Sequence, residues 1–109
     1  MVVIEIRNAE LMETVAKEAK RLDITNGAIV SLIGAVDSFT ISTMPKDDAT
    51  KDIITDYPLP AEMTGTGEIT NGAVHIHSVM AIEGDRAVAG HLHRAEISTF
   101  YGRAYVISC

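Results

Sequence analysis

The sequence predicts an α+β fold: an antiparallel β-sheet with helical cover. One amphipathic helical stretch lies near the start, and a long series of short β-patterned runs follows, divided by tight-turn signals. The length, 109 residues with 47% apolar, suits one domain over 1–109 that can bury a core of its own.

Val2 to Ile6 reads as the first strand. Asn8 is the candidate N-cap of a helix from about Ala9 to Leu22. Leu11, Met12, Val15, Ala16, Ala19 and Leu22 make its apolar stripe. Glu10 and Glu13 stand early in it and Lys17, Lys20 and Arg21 late, as the helix dipole favours. Asn26-Gly27 marks a turn. Ala28 to Ile33 is short, apolar and partly β-branched, a buried strand that Gly34-Ala35 breaks before Val36 to Ser42 resumes. Thr43 to Asp52 is polar and reads as a loop, followed by a short strand over Asp52 to Asp56. Pro58 and Pro60 exclude regular pairing. Glu62 to Thr70 is a strand in which Gly65 and Gly67 suggest a bulge or a close backbone approach. Asn71-Gly72 is a hairpin turn into Ala73 to Ile82. Glu83-Gly84-Asp85 turns the chain back along Arg86 to His93. Ala95 to Thr99 and Arg103 to Ser108 close the series.

The net charge of −6 argues against direct nucleic-acid binding, which needs clustered Lys and Arg on one surface. The densest basic group, Lys17, Lys20 and Arg21, has a sufficient explanation as a solvated helix end. The single cysteine, Cys109, excludes an internal disulfide and fits a cytoplasmic location. No signal-peptide pattern and no membrane-length apolar run is present.

All four histidines fall between positions 75 and 93, as His75-Ile76-His77 and His91-Leu92-His93. Residues two apart on a strand share a face, so each pair points one way. Val74, Ile76, Met80 and Ile82 form one apolar face, and Val88 and Leu92 supply its counterpart on the returning strand. Matching them requires a three-residue turn, Glu83-Gly84-Asp85, which sets His77 opposite His91 and His75 opposite His93. A two-residue Gly84-Asp85 turn would put the pairs on opposite faces. Half-buried histidines bonded to backbone or to each other are the structural reading. Four at these spacings favour a metal ion, of which zinc, nickel, copper or iron suits imidazole. Glu62, Glu68 and Glu96 are candidate bases by residue type.

Gly27-Ala28-Ile29-Val30-Ser31-Leu32-Ile33-Gly34-Ala35-Val36 and the run HIHSVMAIEGDRAVAGHLHRAEI, His75 to Ile97, resemble the plants-and-prokaryotes-conserved (PPC) domain family along the whole chain. That family was formerly a domain of unknown function and is also labelled PD1-like DNA-binding. The resemblance implies a PPC-domain-like fold assembled as a homo-oligomer, a trimer. It implies a metal ion, typically zinc, on the H-x-H and G-H-L histidines, here His75, His77 and His91. His93 stands beside that motif. The sequence departs from the pattern at Ala89, where a second glycine is usual, and Arg7-Asn8-Ala9-Glu10 is a clipped form of the usual start. The AT-hooks that precede such domains in land plants have no counterpart here. Three functions follow in order: a trimeric metal- or small-molecule-binding module, a metal-dependent enzyme using an open metal position, and a DNA-binding or transcription-associated protein.

Overall fold

The computed structural model describes residues 1–109. Nine strands and one helix follow each other as β1 (Val2–Ile6), β2 (Ala9–Glu10), α1 (Leu11–Arg21), β3 (Gly27–Val36), β4 (Ser38–Thr43), β5 (Ile53–Tyr57), β6 (Ala61–Thr70), β7 (Ala73–Ile82), β8 (Arg86–Ile97) and β9 (Gly102–Ser108). They form one sheet in the order β1-β9-β3-β6-β7-β8-β4-β5, with β2 added on β8. Every pairing is antiparallel.

The expected helical cover is smaller than predicted. Strand accounts for 61% of the chain, against one helix of 11 residues. Its buried Leu11, Val15 and Ala19 pack on β1, β7 and β8. β1 is one edge of the sheet and β8 lies far along it, so the sheet curls around the helix to bring both into contact. Two residues after β1 the chain enters β2 and pairs with β8, which ties the curl shut. Ile6, Ile29, Leu32, Ile69, Ile76, Met80, Leu92 and Ile97 fill the concave side together with the helix.

Two bulges make the curl compatible with the hydrophobic pattern. On β3, Ile29 faces Val106 and Ser31 faces Tyr105, leaving Val30 as the extra residue. Ile29 and Leu32 both remain inside while Val30 and Ser31 point out. On β8, Leu92 faces Ile41 and Arg94 faces Thr40, leaving His93 extra. Leu92 and Ala95 are both buried, with two outward residues between them.

Several boundaries differ from expectation. Ala9–Glu10 is spent on β2, so the helix starts at Leu11 and is capped by Glu10 rather than Asn8. The Glu10 carboxylate accepts from the Met12 and Glu13 amides, at 2.9 Å each, and from Ala95 N at 2.9 Å. One side chain thereby caps the helix and satisfies the amide that follows the β8 bulge. β3 passes through Gly34-Ala35 and ends at Val36. The bulge expected near Gly65 and Gly67 lies on β3 instead, while the β6–β7 ladder is unbroken from Glu62↔Ala81 to Thr70↔Ala73. Close approach is the correct reading of these glycines: a Cβ at Gly65 would lie 2.6 Å from the His77 carbonyl oxygen, and one at Gly67 would overlap that of His75. β8 is one strand, where two separated runs were expected, because the bulge absorbs the change of hydrophobic phase.

Candidate metal centre

The β7–β8 hairpin has the three-residue turn. Ile82 pairs with Arg86 and the ladder runs to His77↔His91. Asp85 and Gly84 take left-handed φ values of 59° and 86° in the turn, conformations that Asp and Gly tolerate best. Ile76, Met80, Ile82 and Leu92 are buried, so a slip of one residue would turn this apolar set outward. His75, His77 and His91 share the opposite, convex face.

The three rings converge. His75 Nε2 lies 3.1 Å from His77 Nε2. Ring centroids are 4.8 Å apart for His75–His77, 5.0 Å for His75–His91 and 5.9 Å for His77–His91. One nitrogen from each ring falls in a set no wider than 4.8 Å. Nitrogens bonded to one tetrahedral zinc at about 2.0–2.1 Å sit roughly 3.4 Å apart. His75 and His77 are close to that spacing, and closing the widest separation of 4.8 Å takes a shift of about 1.4 Å shared among the imidazoles. The residues present fit a divalent ion.

Burial holds the His91 imidazolium below the usual histidine range, and the neighbouring His93, His75 and His77 add to this while Asp52 opposes it. The lowered pKa favours the neutral form of His91, whose lone pair can bind a metal. His93 does not join the set. It is the bulge residue of β8, and its Nε2 hydrogen-bonds Ser42 Oγ at 2.8 Å. The expected His75–His93 opposition is absent because the β7–β8 ladder ends at His77↔His91.

Among the candidate carboxylates, Glu68 is opposite His75, with Oε2 3.5 Å from Nδ1. Glu96 is paired with Arg94, and Glu62 stands opposite Ala81. Asp52 was not anticipated. It lines a groove of about 840 Å³ together with His77, His91, Ser42, Thr66 and Met44. Nothing local in the sequence marks Asp52, which reaches the groove only through the path of the 44–52 segment. Glu68 was singled out by residue type alone; the signal that places it is the two-residue Asn71-Gly72 turn, which sets Glu68 against His75.

The family model of the Plants and Prokaryotes Conserved (PCC) domain matches residues 1–108. The chain belongs to this family. Among solved structures, a PPC protein from Pyrococcus horikoshii superimposes with a TM-score of 0.85 at 16% identity, over 99% of this chain and 78% of that one. A protein from Ralstonia eutropha, described there as a proposed DNA-binding protein, gives 0.84 at 18% identity over 98% and 76%. A metal-containing protein from Archaeoglobus fulgidus gives 0.77 at 19% over 98% and 79%. At these identities the likeness shows the fold. No curated protein matches the chain. No helix is long and apolar enough to cross a membrane.

Proposed function

We propose that this PCC-domain chain is a metal-binding module, with zinc as the resident ion and His75, His77 and His91 as its ligands. The observation that carries the reading is the convergence of one nitrogen from each of these three rings on a single face. The metal-containing neighbour of the same fold supports it. Bound zinc would supply a Lewis acid with coordination positions left open to water or ligand. The protein's part is to hold three imidazoles on two strands whose register the core enforces.

We also propose that the chain assembles as a trimer. Val3, Val30, Ile33 and Ile107 are exposed on the convex face of β1, β9 and β3. Val3 faces Tyr105 and Ala28 faces Ile107 across these strands, which makes the patch continuous. Apolar patches of this kind mark interfaces. A reducing cytoplasm suits a chain whose single cysteine is exposed and free.

The metal-dependent enzyme is the second reading, favoured by one observation: the groove beside His77 and His91 carries a carboxylate, Asp52, and the hydroxyls of Ser42, Thr43 and Thr66. These are groups that can receive a proton and orient a ligand. Surface charge favours the DNA-binding reading least. Arg21 pairs with Glu18, Lys51 with Asp48 and Arg94 with Glu96, while Arg7 and Arg103 share Glu5. These pairings break up any basic stripe.

Elemental analysis of untagged protein beside a His77→Ala/His91→Ala variant tests the proposal. Near-stoichiometric metal in the wild type, lost in the variant, is the expected result. Absence of metal from the wild type after reconstitution with zinc would overturn it.

A further inference from the structure

We infer that Glu68 is the positioning residue of this centre: its carboxylate accepts the Nδ1 proton of His75 and so presents the Nε2 lone pair of that ring to the metal. The inference rests on the metal-binding reading above and assigns a role to a side chain outside the ligand set.

Geometry distinguishes the two nitrogens of His75. Nδ1 faces Glu68 Oε2 at 3.5 Å, and Nε2 faces His77 Nε2 at 3.1 Å. A neutral imidazole carries one proton, and the nitrogen beside a carboxylate is where that proton is held. Nε2 is then bare and accepts from His77 Nε2 in the metal-free chain. The two Nε2 atoms meet where an ion bonded to both would sit.

The placement is built into the fold. The Asn71-Gly72 turn sets Thr70↔Ala73, and the third and fifth pairs of the ladder are Glu68↔His75 and Thr66↔His77. Thr66, Gly67, Glu68, His75 and His77 line a recess of about 250 Å³ with no apolar side chain in it. His77 and His91 have no carboxylate hydrogen bond of this kind, so His75 alone among the three has its tautomer fixed from outside. A carboxylate behind a metal-bound imidazole orients the ring and raises its basicity, and loss of such a partner weakens metal binding by about 10–100-fold. Both side chains are largely exposed, so the pair adds little to stability and substitution at Glu68 leaves the fold intact.

The experiment has two arms. Zinc affinity is measured by competition with a chromophoric chelator for the wild type, Glu68→Ala and Glu68→Gln. The His75 ring tautomer is read by ¹⁵N NMR on the metal-free proteins. The expected results are a loss of about 10–100-fold in Glu68→Ala, a smaller loss in Glu68→Gln, whose carbonyl still accepts the proton, and a His75 proton on Nδ1 in the wild type that redistributes in Glu68→Ala. Unchanged zinc affinity in Glu68→Ala, or a wild-type His75 protonated on Nε2, would overturn the inference. A wild type that takes up no zinc sinks the metal-binding reading instead, and the tautomer alone then decides whether Glu68 sets His75.

Discussion

His91 and His93 are two positions apart and would share a face on a regular strand, yet they have different partners. His91 belongs to the ring cluster; His93 bonds Ser42. The alternation of strand side chains makes His75 and His77 legible as a pair from the sequence alone. It misplaces His93, because the bulge at that residue depends on how β4 and β8 meet, a long-range fact. Asn8 misled in a similar way. It is a favoured cap by type, but it adopts a left-handed φ of 49° and the longer Glu10 side chain reaches the amides instead. Asp37 offers a test at this scale. It accepts hydrogen bonds from Thr99 Oγ1, Ser98 N and Thr99 N, and these lower its carboxyl from 3.8 to about 2. A depressed carboxyl contributes stability that is complete above its unfolded pKa and drains away as pH falls through the folded one. The urea midpoint of the wild type should exceed that of Asp37→Asn at neutral pH and down to roughly pH 5, with the gap closing as pH approaches 2. A gap that persists undiminished at that acid limit contradicts the assignment.

The β7–β8 hairpin is the element on which the site depends. Its apolar alternation demanded a three-residue turn, and the observed Ile82↔Arg86 closure supplies one. The ring cluster was legible here because core packing and the placement of His77 against His91 are the two faces of one ladder. By contrast, the continuity of β8 through Arg94 and of β3 through Gly34 was not legible. In both, the hydrophobic phase or a glycine signals a break that cross-strand pairing overrides. Deleting Ala87 shifts every later β8 residue by one relative to the Ile82↔Arg86 closure, which sets His91 inward, opposite Ser78, and Leu92 outward. The variant should lose stability together with zinc, binding less than about a tenth of an equivalent. Full zinc occupancy in the deletion variant would show that the register does not position the ligands.

At the scale of the molecule, the sheet curls around one short helix, and both the ring cluster and the exposed apolar residues lie on its convex side. The sequence showed one helix followed by many strands. It could not show the curl, because this depends on β2 reaching β8 and on Gly65 and Gly67 allowing β6 to approach β7. Ile33, 55% exposed, is central to the convex patch. Ile33→Glu should reduce a trimer to monomers in light scattering while leaving the helix and sheet signals unchanged. A wild type that is already monomeric, or an Ile33→Glu variant that remains trimeric, contradicts assembly through this face. On the proposed reading His75, His77 and His91 hold one metal and His93 does not. Zinc content of His91→Ala and His93→Ala, purified side by side with the wild type, tests it most directly. Near-stoichiometric zinc in the wild type and in His93→Ala, with its loss in His91→Ala, is the expected result; loss in His93→Ala with retention in His91→Ala would overturn this assignment of the ligands.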